Sequence, residues 1–140
     1  MPETPTCAFS QEWTTLQNNY EAYERGALLI KLMAIVLLSA GYALALPSAL
    51  GAGLALLLWA QESIYRTYQA RLGARIARVE ALVANKAPAH SAFQLHTEWL
   101  AQRQGTAGLV AEYAAHALRP TVAFPYALLF LLQLVAYWGD

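Results

Sequence analysis

From Ala27 to Leu46 the chain carries one charge, Lys31, in 20 residues; it then turns at Leu46-Pro47-Ser48 and runs back uncharged to Ala60. At 1.5 Å per residue the first stretch spans about 30 Å, the thickness of a bilayer's hydrocarbon core. Folded about Pro47, position n faces position 93 or 94 minus n. That register sets Lys31 level with Glu62, the two charges nearest the apolar interior. It also lines up Gly41 with Gly53, Ser39 with Ala55, Ala34 with Ala60, and Ala45 with Ala49. An antiparallel helical hairpin accommodates all of these pairings. Its second arm has to continue through Gln61, Glu62 and Ser63 to reach an interface, so the hairpin is expected over 27–46 and 48–65.

A third uncharged run, Thr121 to Trp138, is again about one bilayer crossing. The chain is 58% hydrophobic and 13% charged, against a usual charged fraction of about 25%, so burying three such runs in a soluble core of 140 residues is difficult. The expectation is an all-α integral membrane protein with three transmembrane helices and a cytoplasmic helical layer, one domain over 1–140. Its parts are a cytoplasmic N-terminal segment and helix (1–26), the hairpin (27–65), a helical stem with short helices (66–119) and the third span (120–140).

Charge sets the expected orientation. Seven of the nine basic residues, Arg66, Arg71, Arg75, Arg78, Lys86, Arg103 and Arg119, lie between the second and third spans, and Arg25 and Lys31 flank the first. The positive-inside rule then puts the N-terminus and the 61–119 segment in the cytoplasm, and the hairpin turn and C-terminus in the periplasm. Tyr20, Tyr23, Trp59, Tyr65 and Tyr68 suit one interface, Tyr137 and Trp138 the other. Met1 to Arg25 has no basic leader and no apolar core of a secretory signal, so the first span is expected to stay as an anchor in a bacterial inner membrane. Cys7 is the sole cysteine and sits in no lipidation motif.

Residues 1–9 are expected to lack structure, and a polar helix from about Ser10 leads into the first span. Beyond the hairpin, Tyr65, Tyr68, Leu72, Ile76, Val79 and Val83 repeat at helical spacing, predicting one long helix from about Ser48 to Asn85 that ends before Pro88. This apolar stripe is a candidate interaction face, seeking the short helices at 91–118, a second copy or another protein. Ser91-Ala-Phe-Gln94 reads as a capping box that opens a helix carrying Phe93, Leu95, Trp99 and Leu100 and ending near Gln104. Another helix is expected over about 107–118. Pro125 is placed to kink the third span.

The candidate sites are few. Lys31 and Glu62 read as an intramembrane ion pair, either a structural salt bridge or two side chains snorkelling separately to headgroups, or else part of a proton or ion relay; a relay needs ionisable groups deeper in the membrane, where in the third span only Gln133, which cannot titrate, adds polarity. Gly41, Ala45, Ala49, Gly51, Gly53 and Ala55 form small-xxx-small patterns suited to close helix packing, and Ala123 with Ala127 repeats the pattern. Arg66 and Arg71 are near enough to the membrane to meet lipid headgroups. His90, His96 and His116 lie outside the spans; Glu112 with His116, and His96 with Glu98, fall short of a metal's three or four ligands. No nucleophile elbow, phosphate loop or dinucleotide motif is present, and a net charge of zero argues against nucleic acid.

A membrane hairpin followed by a helical stem is similar in layout to the two-span SLATT-type effectors of bacterial nucleotide-signalled defence. The third span departs from that layout, and no residue motif transfers a site. The expected function is non-catalytic and without cofactor: an accessory or scaffolding subunit of a membrane complex, or a homo-oligomer, with lipid, other membrane subunits or copies of itself as partners. An oligomeric pore-former, holin-like or a defence effector, and a small proton- or ion-linked transporter using Lys31 and Glu62 are the alternatives.

Overall fold

A computed structural model describes residues 5–102 and 105–139. Among them every regular element is helical: α1 (Pro5–Ala43), α2 (Ser48–Ala84), a 3₁₀ turn (Ala89–Ser91), α3 (Leu95–Gln102), α4 (Gly105–Ala117) and α5 (Pro120–Gly139). Met1 to Thr4, Arg103, Asp140 and the expected end of α3 at Gln104 lie outside the described residues.

The turn between α1 and α2 is a Schellman motif. Leu46 N–H donates to Gly41 O (3.0 Å) and Ala45 N–H to Tyr42 O (3.1 Å), while Ala45 sits at φ 52°. The stem ends the same way: Ala87 N–H donates to Leu82 O (2.9 Å), Lys86 N–H to Val83 O (3.1 Å), and Lys86 lies at φ 53° just ahead of Pro88. Both left-handed positions hold a residue with a Cβ, where glycine is free of the steric penalty. Ala45→Gly is therefore expected to stabilise the hairpin by about 1 kcal/mol, read as a raised melting temperature in detergent.

α2 is the axis of the molecule. α1 runs antiparallel along its full length, and α4 and α5 follow one another down another side. On the first pairing, Tyr20 packs on Gly73 and Tyr65 on Gly26, so each helix offers a glycine to a tyrosine of the other. Lys31 meets Glu62 lower down, and Trp13 Nε1 donates to Glu80 (3.0 Å) near the top. The hairpin register thus continues through the stem, whose partner is α1 itself. Val79 of the apolar stripe is buried and Tyr65, Leu72 and Ile76 are half-buried, whereas Tyr68 and Val83 are exposed.

The start of α1 corrects the expectation of an unstructured lead. Ala8 and Phe9 are buried in a cluster with Leu16, Val79 and Ala92, and burying Phe9 supplies the apolar contact that holds this end helical. The expected capping box also fails: α3 begins at Leu95, Phe93 lies outside it at φ 59°, and Gln94 Nε2 turns to the carbonyls of His90 and Ala92. Ser91 N–H bonds instead to the Pro88 carbonyl (3.0 Å) within the 3₁₀ turn, and the tertiary bonds described below fix Ser91 O and Phe93 N–H.

α1 and α5 are each long and apolar enough to cross a membrane. Their large side chains are mostly open, among them Leu29, Val36, Phe124 and Val135, and a continuous apolar surface of this extent belongs against lipid or another chain. The apolar run of α2, Ser48–Ala60, is 13 residues, about 20 Å.

Candidate functional site: a three-helix ionic junction

Where α1, α2 and α5 converge, Glu62 is completely enclosed. Lys31 Nζ lies 3.0 Å from its Oε1, and Arg66 Nε lies 3.7 Å from the same oxygen. The Tyr126 hydroxyl, from α5, donates to Leu58 O (3.3 Å) and sits beside the Glu62 carboxylate. An enclosed carboxylate needs this company, because an unpaired charge in such a place costs several kcal/mol.

Lys31 makes a second bond, 2.9 Å to the backbone carbonyl of Thr121. The reason is four residues further on. Pro125 lies inside α5 and has no N–H, so the Thr121 carbonyl loses its partner within the helix. The ammonium from α1 fills that vacancy, and α5 runs on unbroken through Pro125. A related arrangement occurs at the α4–α5 junction, where Trp59 Nε1 donates to the terminal carbonyl Ala117 O (3.1 Å) and its ring stacks on Tyr126 (6.2 Å, 23°). Two backbone carbonyls left open along the α4–α5 rod are thus satisfied by side chains from the other two helices. Pro125→Ala should return an N–H to Thr121 and so weaken the dependence on Lys31. A double-mutant cycle with Lys31→Met should read a coupling of about 1 kcal/mol.

Gly51, Gly53 and Gly41 divide in a way the hairpin alone does not specify. Ala27, Ala34, Leu38 and Ala55 form the buried seam. Gly51 faces α5 instead: a Cβ there would lie 2.7 Å from the Gln133 amide nitrogen. Gly53 has nothing within 4 Å, Gly41 meets only Leu46 of the turn, Ala49 is exposed and Ala45 belongs to the turn. The expected Gly41–Gly53 contact is not formed, because the Schellman turn and the docking of α5 use other faces of these helices. Gln133 packs on Gly51, and Ala127 is exposed.

Arg66 and Arg71 point into the protein rather than to headgroups. Arg66 Nη1 donates to Gln69 (2.7 Å) besides approaching Glu62. Arg71 pairs with Glu112 (2.7 Å), and its guanidinium lies over the rings of Tyr68 and Trp99. Arg71, Glu112 and Trp99, with Gly105 and Gly108, border a groove of about 330 Å³ between α2, α3 and α4.

The stem holds a second buried ionic network that charge patterning did not reveal. Glu12 and Arg75 are almost fully enclosed, with side chains 5% and 2% exposed. Arg75 Nε and Nη2 donate to the two Glu12 oxygens (2.8 and 3.1 Å), Nη2 also to Ser91 O (3.0 Å), and Nη1 lies 2.8 Å from Glu98. Glu12 in turn accepts from Phe93 N–H (2.8 Å). Burial works against the charged guanidinium, but Glu12 and Glu98 outweigh it and raise the Arg75 pKa. Glu112 and Glu98, each near a histidine in sequence, are thus engaged with arginines.

His116 is buried in α4, and its Nδ1 has no hydrogen-bond partner. Burial first, then the charges of Arg119 and Arg71, lower its pKa below the ordinary 6.5, with Glu112 opposing. Above pH 6.5 folded and unfolded chains both hold the neutral ring. Below it the unfolded chain takes a proton that the folded one refuses, so stability falls as the pH drops toward the folded value. The melting temperature should therefore decline between pH 7.5 and 5.5, and His116→Leu should flatten that decline.

Comparison with protein-family models, with curated proteins and with solved structures finds no match to this chain.

Proposed function

We propose that this chain is a non-catalytic scaffold of a bacterial inner membrane, an accessory subunit of a larger complex or a homo-oligomer. In this reading α1, the lower part of α2 and α5 are three spans. The N-terminus and stem are cytoplasmic, and the hairpin turn and C-terminus are periplasmic, following the basic residues. The second span is completed by Gln61 to Tyr65, with Glu62 shielded by Lys31, Arg66 and Tyr126.

The observation that carries the reading is how the interior charges are used. Lys31, Glu62, Arg66, Glu12 and Arg75 are turned on one another and on backbone carbonyls. Such an arrangement fastens helices. A proton relay needs titratable groups continuing across the membrane, and beyond this junction the described apolar spans hold no carboxylate, histidine, lysine or arginine.

The test is the mass and composition of the tagged chain after gentle extraction from its native membrane. Foreign subunits in fixed ratio identify an accessory subunit, and a pure multimer identifies a homo-oligomer. A multimer that conducts ions in liposomes identifies the pore-former instead. Orientation is read from Cys7, which is exposed: an impermeant maleimide should label it only after the cells are opened.

A further inference from the structure

With Arg66 and Arg71 turned inward, the basic residues left at the level of the junction are Arg25 and Arg119. Both are exposed, and neither side chain makes a hydrogen bond or ion pair with a described residue. Lys31 sits between α1 and α5 with a side chain 17% exposed, ion-paired with Glu62 and donating one hydrogen bond to Thr121 O. We propose that the lip formed by Lys31, Arg119 and the first turn of α5 holds the phosphodiester headgroup of an anionic lipid from the cytoplasmic leaflet, with Arg25 adding to the field. The proposal rests on the three-span reading above.

Three observations converge on this occupant. The first is charge: at the start of α5, Lys31 and Arg119 stand with Glu62 as the acid of the junction, and Glu62 is enclosed behind Lys31, while Arg25, higher on α1, is flanked by Glu21 and Glu24. The second is position: the Lys31 ammonium is held on the Thr121 carbonyl in the first turn of α5, two residues from the exposed Arg119, so two cations from different helices meet at one lip. The third separates a lipid from free phosphate. Immediately below the cations, Leu32 on α1 and Phe124 and Leu128 on α5 are all exposed, and acyl chains attached to the headgroup would cover them. A soluble anion would gain nothing from that surface.

The test is native mass spectrometry of the full chain in detergent, titrated with phosphatidylglycerol and with phosphatidylcholine. Phosphatidylglycerol should be retained the more tightly. Arg119→Gln should lower that preference about fivefold, the value of one basic residue near an anionic surface. Arg78→Gln, a change of an exposed arginine far up the stem, should leave it unaltered. Equal retention of the two lipids overturns the site, as does an equal loss from Arg78→Gln, or displacement of phosphatidylglycerol by millimolar inorganic phosphate. Release of the chain from membranes by alkaline carbonate would instead overturn the three-span reading. A chain that stays in the membrane and shows no anionic preference removes the headgroup site alone.

Discussion

Arg75→Met is expected to destabilise the protein by about 3–5 kcal/mol, the cost of breaking an enclosed ion pair from one side. Arg75 supplies two of the hydrogen bonds to Glu12, and the substitution leaves that carboxylate buried with Phe93 N–H as its remaining donor. The loss reaches beyond the pair. Phe93 holds a left-handed backbone, which costs a bulky residue about 1–3 kcal/mol and persists only where surrounding contacts enforce it. Here the enforcing contacts are Glu12 on Phe93 N–H and Arg75 on Ser91 O. The variant should therefore melt earlier and also become open to proteolysis between residues 85 and 94. Arg75→Met with Glu12→Met should recover much of the stability, since an apolar pair has no charge to shield. A single-variant cost below about 1 kcal/mol would mean the pair behaves like an exposed one.

This network marks the limit of what the residue pattern reveals. Arg71, Arg75 and Arg78 line one flank of the stem and look alike in sequence, a row of solvated charges. Only the fold distinguishes them: Arg78 stays exposed, Arg71 lies over Tyr68 and Trp99, and Arg75 is covered when the 85–94 loop crosses it. That crossing depends on where a loop lands, which no helical period encodes. The hairpin register was readable for the opposite reason, because a tight turn at Pro47 ties two helices residue by residue. The same arithmetic carried past the apolar run would have found Tyr20 on Gly73 and Trp13 beside Glu80, since both pairs sum to 93. The polar composition of residues 10–25 concealed that this segment is the stem's partner. Gly51 and Gly53 show the remaining gap. Two glycines separated by one residue lie on different faces of a helix, and which of them is covered depends on the side from which α5 docks.

Lys31→Met is the second change expected to matter most. It leaves Glu62 wholly enclosed, with Arg66 at 3.7 Å as its nearest cation, and it orphans the Thr121 carbonyl that Pro125 cannot bond. Lys31 is partly exposed and Arg66 shields some of the remaining charge, so the cost should fall near the lower end of the range for a broken buried pair, about 3 kcal/mol. Lys31→Met with Glu62→Leu should regain most of what the carboxylate loses but not what Thr121 loses, so recovery stays incomplete. That residue of instability, read by thermal melting in detergent, separates the backbone bond from the ion pair. The same double variant separates function from architecture. If Lys31 and Glu62 serve only to join helices, a chain that folds without them should still assemble with its partners. If they carry protons or ions, it should assemble and fail to support flux. The first outcome is expected, because Lys31 is already committed to two acceptors on two other helices.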